Sequence, residues 1–150
     1  MKVVLQRVKK ASVEIDEKTT ASINKGLLIL LGIESEDSQE DINWLVSKIV
    51  KLRIFNDEEG VMNLSVKDIK GQLLVVSQFT LHASTKKGNR PSYIKAARPE
   101  TAIPLYTKFI TQLKEETGTA IQTGKFGALM DINLVNDGPV TIIIDSKNKI

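Results

Sequence analysis

Cysteine is absent from this 150-residue sequence, and histidine occurs once, as His82. The absence of cysteine excludes disulfides, thiolate nucleophiles and zinc–thiolate sites, and a single histidine excludes any site that needs two imidazoles. Aromatic residues make up only 5% of the chain, which argues against an extended stacking platform for single-stranded nucleic acid. Any chemistry must therefore use carboxylates, hydroxyls, amides, backbone groups or the substrate itself.

Long hydrophobic segments are also missing. The longest apolar run covers residues 27–31 between two glycines, which is far too short to span a bilayer but is typical of a buried strand. The apolar stretch at residues 3–5 is too short for the core of a secretory signal. With 41% hydrophobic and 26% charged residues, the composition predicts one globular domain over residues 1–150, cytoplasmic and without a membrane partner.

Acidic residues are absent from one long segment. The chain has 21 basic and 18 acidic residues, a net charge of +3, but no acid lies between Asp68 and Glu100. That segment contains six basic residues, namely Lys70, Lys86, Lys87, Arg90, Lys95 and Arg98. Such a segment is suited to contact phosphates, although the same charge pattern also describes a solvated surface loop.

Hydrophobic periodicity predicts one α+β domain with a large sheet component and two main helices. The first helix is predicted over residues 38–53, where apolar residues recur at helical spacing after the capping residue Ser38. The second is predicted over residues 99–117, with Gly118 as its stop signal. Strands are predicted over residues 3–8, 12–15, 19–23, 27–33, 72–79, 120–124, 128–135 and 139–144.

A polar stretch, Ser77-Gln78-Phe79-Thr80, follows the apolar run that ends at residue 76. Where a strand becomes a loop, backbone N–H groups and side chains can be aimed into a pocket. Thr80 could act as a nucleophile with His82 as its base, but no acid lies nearby in the sequence to orient the imidazole. The alternative is that these hydroxyls only satisfy backbone groups at a strand end.

Two further segments combine glycine with residues suited to ligand contact. Residues 123–130 place Phe126 between two glycines and Met130 after them, which fits either a bulged hairpin or a close-approach surface for a flat ligand such as a nucleobase. Residues 136–141 contain Gly138-Pro139, which fits either a turn between two strands or a rigid wall that measures the shape of a ligand.

These segments occur in a specific order along nearly the whole chain. They are Gln6-Arg7-Val8, GLLILLG at residues 26–32, SQFTL at 77–81, GNRPSY at 88–93, the segment 123–130 and NDGPVT at 136–141. Together they resemble the D-aminoacyl-tRNA deacylase family, and the combination of SQFTL with NDGPVT is much more specific than either motif alone. Tyr93 stands where this family usually has Phe.

The resemblance implies a β/β/α layered domain, barrel-like with mixed and antiparallel sheets, that forms a homodimer with two active sites at the subunit interface. It implies hydrolysis of the ester that joins a D-amino acid to the terminal adenosine of tRNA, and removal of glycine misattached to alanine tRNA. The vicinal 2′-hydroxyl of the RNA would assist the reaction, and no metal or organic cofactor is implied.

The resemblance also implies roles for individual residues. The Gly138-Pro139 peptide would be cis and would enter the pocket of the partner subunit, where it rejects L-amino acids, and Arg7 would hold this peptide across the interface. The backbone N–H groups of Phe79 and Thr80 would form an oxyanion hole. The remaining expected contacts are Ser77 and Gln78 in the pocket wall, Phe126 and Met130 at the adenosine, and Lys86, Lys87 and Arg90 on the tRNA.

Two other functions stay open on the sequence alone. One is a non-catalytic RNA-binding dimer that uses the basic residues 86–98. The other is a Thr80/His82 hydrolase that acts on unrelated esters.

Overall fold

The computed structural model describes all residues from 1 to 150. Its strands are β1 (Lys2–Ile15), β2 (Lys18–Ile23), β3 (Gly26–Gly32), β4 (Phe55–Asn56), β5 (Met62–Leu64), β6 (Gln72–Ser77), β7 (Gln122–Thr123) and β8 (Asp131–Asp145). Its helices are α1 (Gln39–Lys51) and α2 (Pro99–Thr117), and a short 3-10 helix (Phe79–His82) follows β6.

The long strand β1 organises the main sheet. Its first half pairs antiparallel with β3, its second half pairs with β2, and β8 runs antiparallel along its other edge. The strands β3, β6 and β7 continue the sheet as parallel neighbours. The sheet is therefore mixed and nearly closed into a barrel, which, with the two helices, confirms the predicted α+β class.

Strand β3 is buried on both faces. Leu27, Ile29 and Leu31 belong to a core cluster of 22 residues that includes residues of both helices, whereas Leu28 belongs to a second cluster of 8 residues. Successive side chains of a strand point to opposite faces, so a strand covered on both sides needs apolar residues at consecutive positions. This arrangement explains the uninterrupted apolar run at residues 27–31.

The helix boundaries follow local capping. The Ser38 side chain accepts a hydrogen bond from the Glu40 amide, and the Asp41 carboxylate accepts one from the Ser38 amide, which gives a capping box before α1. Helix α2 ends at Gly118, whose φ of +70° lies in the left-handed region. Both predicted helices are confirmed, the first being slightly shorter than expected. No helix of the chain is long and apolar enough to cross a membrane.

Several strand boundaries differ from the predicted ones. Residues 3–8 and 12–15 form the single strand β1, and β8 runs without a break through 136–141, which is therefore not a turn between two strands. The run 72–79 ends as a strand at Ser77, and only two residues of 120–124 are extended. β1 pairs with β8 on both sides of a bulge at residues 137–140, from Lys2–Asp145 to Gln6–Thr141 and again from Val8–Asn136 to Glu14–Asp131, so both strands continue across it.

The register of β3 against β6 defines the edge of the sheet that matters for function. The two strands are parallel, and Leu31 pairs with Ser77. Their carboxyl ends therefore meet at the same edge, where the 3-10 helix begins. This places the polar stretch predicted at residues 77–80 beside the end of a buried strand.

Candidate active site

A small pocket opens where β3 and β6 end. Its volume is about 80 Å³. Four of its lining residues are residues that the sequence predicts for the site, namely Ser77, Gln78, Phe79 and Phe126. The fold thus brings together two predicted segments that are separated along the chain by the whole of α2.

Three aliphatic residues of the pocket wall were not among the predicted site residues. Ile33, Ala97 and Ala102 line the pocket beside the polar residues. The Ala97 N–H donates to the Ile33 carbonyl at 2.9 Å, which fixes this wall. Small apolar residues have no chemical signature in a sequence, and only the packing of the start of α2 against the end of β3 brings them to the site.

Backbone hydrogen bonds hold the turn that follows β6. The Gln78 N–H donates to the Leu31 carbonyl at 2.8 Å, and the Leu81 N–H donates to the Gln78 carbonyl at 3.2 Å. In a 3-10 helix each N–H bonds to the carbonyl three residues earlier, so the N–H groups of Phe79 and Thr80 have no partner within the helix. Of the two residues, Phe79 lines the pocket, whereas Thr80, which follows it, does not.

The side chains of Thr80 and His82 have separate partners. Gln78 Nε2 donates to Thr80 Oγ1 at 2.6 Å. His82 is buried, its Nδ1 lies 3.9 Å from a carboxylate oxygen of Glu34, and its Nε2 has no hydrogen-bond partner. Thr80 and His82 form no hydrogen bond with each other, so the nucleophile–base pair considered from the sequence is not assembled. No group of three or more histidine or acidic side chains is placed to hold a metal ion.

An aromatic contact fixes Phe126 on the pocket wall. Its ring packs edge-to-face with that of Tyr106, and the two centroids are 5.7 Å apart. The Tyr106 hydroxyl donates to the Val75 carbonyl at 3.2 Å, and burial raises the pKa of Tyr106 to about 12, so this phenol is protonated at neutral pH. Met130 does not line the pocket but packs against the smaller core cluster, with its sulfur beside Gly124.

Gly138 and Pro139 project from β8. Their peptide bond is cis, both residues are exposed, and Gly138 has a φ of +132°. The Asn136 side-chain amide donates to the carbonyls of Arg7 and Val140, both at 2.9 Å, and so closes the base of the projection. The Gly138-Pro139 peptide does not line the pocket of its own chain.

Arg7 holds this projection from within the same chain. Its side chain is buried, its Nε donates to the Asp137 carbonyl at 3.0 Å and lies 3.4 Å from an Asp137 carboxylate oxygen, and its Nη1 donates to the Ile54 carbonyl at 2.6 Å. The contact of Arg7 across a subunit interface stays a prediction beside this contact within the chain. The contact is made inside one chain because β1 and β8 are adjacent strands.

The basic segment forms a closed loop. Ser84 and Ser92 exchange backbone hydrogen bonds of 2.8 and 2.9 Å, which close the base of the loop. The residues predicted to contact RNA are exposed on it, namely Lys86, Lys87 and Arg90. The Tyr93 ring packs edge-to-face on the Phe79 ring, with 5.1 Å between centroids. This contact joins the loop to the turn that carries the two backbone donors.

Sequence comparison gives consistent matches over the whole chain. Residues 4–145 match the family model described as D-Tyr-tRNA(Tyr) deacylase. The chain is 70% identical over 149 residues to the D-aminoacyl-tRNA deacylase of Flavobacterium psychrophilum, covering 99% of both chains. It is 62% identical over 149 residues to the protein of the same name from Bacteroides fragilis, again covering 99% of both chains.

Solved structures share the same fold. The c-Myc DNA Unwinding Element Binding Protein superimposes with a TM-score of 0.91 at 42% identity, covering 97% of this chain and 98% of that one. A probable eukaryotic D-amino acid tRNA deacylase superimposes with a TM-score of 0.83 at 16% identity, covering 95% of this chain and 97% of that one. At that identity the second likeness concerns the fold alone.

Proposed function

The chain belongs to the D-Tyr-tRNA(Tyr) deacylase family and is a hydrolase that deacylates D-aminoacyl-tRNA, and we propose that backbone amides and the RNA substrate carry its chemistry. The observation that supports this proposal is that the 3-10 helix begins at Phe79, which lines the pocket, and leaves the N–H groups of Phe79 and the adjacent Thr80 without a partner inside the helix. When water attacks an aminoacyl ester, negative charge develops on the carbonyl oxygen, and fixed N–H donors stabilise that charge. Ser77 and Gln78 would shape the wall around the ester.

An aminoacyl ester is already activated, so its hydrolysis needs mainly orientation and stabilisation of the oxyanion. Losing one oxyanion donor costs on the order of 3 kcal/mol in other acyl-transfer enzymes, which is enough for backbone donors to matter. We assign the remaining assistance to the vicinal 2′-hydroxyl of the terminal adenosine. The protein offers little in its place, because the Thr80 hydroxyl is bonded to Gln78 and the His82 ring faces Glu34.

The active form in this proposal is a homodimer in which the partner completes each pocket. A pocket of about 80 Å³ lies well below the roughly 300 Å³ at which small-ligand sites begin, so one chain encloses only part of an aminoacyl-adenosine. Strand β8 is 15 residues long and pairs only with β1, and an unpaired strand edge is a template for another chain. Because Gly138 and Pro139 project from this strand, association through β8 would carry them toward the neighbouring pocket.

Stereochemical selection would then be steric. The partner's Gly138-Pro139 peptide would occupy the space that an L side chain needs. The side chain of a D-amino acid would point away from this backbone wall, so D-amino acids with different side chains would be accepted. Glycine has no side chain for such a wall to exclude, so glycine misattached to alanine tRNA would be hydrolysed as well. Phe126 is assigned to the adenosine, whereas the same role for Met130 stays a prediction because Met130 lies outside the pocket of one chain.

The exposed loop is assigned to the acceptor end of tRNA. Lys86, Lys87 and Arg90 lie on it, and the loop contains no acidic residue that would repel phosphate. Since aminoacyl-tRNA is a cytoplasmic substrate, we place the enzyme in the cytoplasm.

Matched D- and L-tyrosyl-tRNA test the proposed function. The D ester should be hydrolysed at least about 100-fold faster than the L ester, because a displacement of about 1 Å in the reacting geometry costs about that factor. The relative named for binding a DNA unwinding element makes nucleic-acid binding without hydrolysis the alternative to exclude. Stable complexes with both tRNAs and no release of tyrosine would contradict the enzyme and favour a non-catalytic RNA-binding dimer.

Removing the only imidazole should leave most of the activity. In this proposal His82→Ala retains kcat/KM for D-tyrosyl-tRNA within about tenfold, and Thr80→Ala does so as well, because its backbone N–H is kept. Steady-state deacylation of the two variants and the wild type gives the comparison. A loss above about 1,000-fold in either variant, with an unchanged circular dichroism spectrum, would favour a side-chain nucleophile and base instead.

A further inference from the structure

A second cleft, larger than the pocket, shares three chain segments with it. Its volume is about 690 Å³. Three residues of the pocket wall have near neighbours in sequence that line the cleft. The pairs, pocket residue first, are Ile33 and Glu34, Phe79 and His82, and Ala97 and Lys95. The two openings are therefore immediate neighbours, and a chain-like substrate that occupies the pocket at one end can continue into the cleft.

Two lysines of the cleft have no acidic partner. Lys2 and Lys147 each pair with an aspartate, at 3.6 and 3.0 Å, so their charges are balanced within the chain. Lys86 and Lys95 also line the cleft, and neither forms an ion pair. Only these two cations of the cleft are free for an anionic ligand.

Two carboxylates of the cleft have partners other than the free lysines. Asp145 pairs with Lys2, and Glu34 lies 3.9 Å from the His82 ring and 3.8 Å from the N-terminal amine. The free lysines instead share their part of the chain with the hydroxyls of Ser84 and Thr85, which also line the cleft. Lysine and hydroxyl groups together are the usual donors to phosphate oxygens of a nucleic acid backbone.

We propose, resting on the function proposed above, that this cleft binds the phosphates of the nucleotides that immediately precede the terminal adenosine, with Lys86 and Lys95 as the cationic contacts. A 3-10 helix rises about 2 Å per residue, so about 6 Å separate Phe79 at the pocket from His82 at the cleft. Stacked nucleotides of one strand are about 3.4 Å apart along the axis, so this distance corresponds to one or two nucleotides.

The chemistry of the wall favours phosphate over base recognition. The only apolar residues that line the cleft are Leu81 and Ala83, its one ring is that of the buried His82, and the wall contains no Phe, Tyr or Trp on which a base could stack. Lys87 and Arg90, although exposed on the same loop, do not line the cleft. They would meet phosphates farther from the 3′ end. Lys95 lies outside the loop, and the sequence identifies it only as one of the six basic residues of the acid-free segment.

Fluorescence anisotropy with an RNA hairpin that ends in single-stranded CCA tests this assignment. Lys86→Ala and Lys95→Ala should each weaken binding about tenfold, as expected for loss of one charge-assisted hydrogen bond. In the double variant the slope of log affinity against log salt should fall by about 1.4, since one phosphate contact on a single strand contributes about 0.7. Lys95→Arg should restore most of the affinity. A blunt hairpin without the three unpaired nucleotides should bind the wild type and the Lys95→Ala variant equally.

The matched control is Lys108→Ala. Lys108 is exposed on α2, forms no ion pair and lies outside the cleft, so its loss removes the same charge without the contact and should change the affinity less than twofold. Equal effects of Lys95→Ala and Lys108→Ala, or an equal loss on the blunt hairpin, would overturn the assignment.

A phosphate-free ester separates this assignment from the proposed function. The variants should hydrolyse D-tyrosyl-adenosine at the wild-type rate, because this ester reaches only the pocket. If the wild type bound the CCA hairpin through Lys86 and Lys95 but hydrolysed no D ester, the proposed function would fail and the cleft assignment would stand. If the variants lost hydrolysis of D-tyrosyl-adenosine to the same extent as RNA binding, the two lysines would belong to the pocket and the cleft assignment would fail.

Discussion

Replacing Gly138 with alanine should lower kcat/KM for D-tyrosyl-tRNA by at least about 100-fold and reduce the discrimination between D and L esters. The φ of Gly138, +132°, is one that L side chains rarely adopt. A Cβ at this position would lie 2.8 Å from Val140 Cγ2 and 3.0 Å from both Arg7 Nη2 and the Val140 backbone nitrogen. The Gly138-Pro139 peptide must therefore shift, and a shift of about 1 Å in a group that positions substrate costs about 100-fold.

Gly60→Ala is the matched control for this change. Gly60 also has a positive φ, +79°, but nothing lies within 4 Å of an added Cβ. Its replacement should cost about 1 kcal/mol of stability and leave deacylation unchanged. Urea unfolding and parallel assays with both tyrosyl-tRNAs separate the two effects. Wild-type rates and selectivity in the Gly138→Ala variant would contradict the proposal that the Gly138-Pro139 peptide excludes L-amino acids sterically.

Replacing Arg7 with methionine should both destabilise the protein and loosen its selectivity. Arg7 is 6% exposed and donates to the carbonyls of Asp137 and Ile54. Methionine keeps most of the packing volume but leaves these carbonyls without their donor, which costs about 2–4 kcal/mol for hydrogen bonds to a buried charged group. The Gly138-Pro139 peptide then loses its main side-chain support, so the preference for the D ester should fall at least about tenfold.

Arg53→Met provides the control for Arg7. Arg53 is exposed, and its Nε donates to the Asn63 carbonyl at 2.7 Å, so the same substitution there should change the free energy of unfolding by no more than about 0.5 kcal/mol. Should Arg7→Met fail to fold, Arg7→Lys keeps a charge that can reach only one carbonyl and should show an intermediate selectivity. An unchanged D/L ratio in the folded Arg7→Lys protein would limit Arg7 to a structural role.

The parts of the fold that the sequence predicts are those whose cause is local. Ser38 and Gly118 mark helix ends because a capping side chain and a left-handed φ act within one turn of the chain. The continuity of β8 was not predicted, because proline usually interrupts a strand and Pro139 lies in the middle of this one. It is tolerated on β8 because Pro139 lies in the bulge between the Gln6–Thr141 and Val8–Asn136 pairs, where no hydrogen bond to β1 needs its N–H.

The candidate site also has features that the sequence predicts and features that only the fold reveals. The polar stretch around Gln78 is visible because hydroxyl and amide groups at the end of an apolar strand are unusual, and the structure places it in the pocket wall. The partners of Arg7 could not be read from the sequence, since Ile54 and Asp137 come near it only through the pairing of β1 and the course of the chain after α1. The free charge of Lys95 was hidden for a similar reason, because charge balance depends on which acids the fold brings close.

The position of Arg7 on β1 ties the Gly138-Pro139 peptide to the part of the molecule that opens least. Arg7 pairs with Leu27 of β3 on one side and lies beside the shifted register of β8 on the other, within the strand that pairs with three others. Segments of this kind exchange their amide hydrogens only through openings that approach global unfolding, whereas frayed ends and loop tips open at little cost. Selectivity that depends on Arg7 should therefore persist up to the temperature at which the whole domain unfolds. Heating should then produce unfolded enzyme directly, without a folded form that hydrolyses L esters.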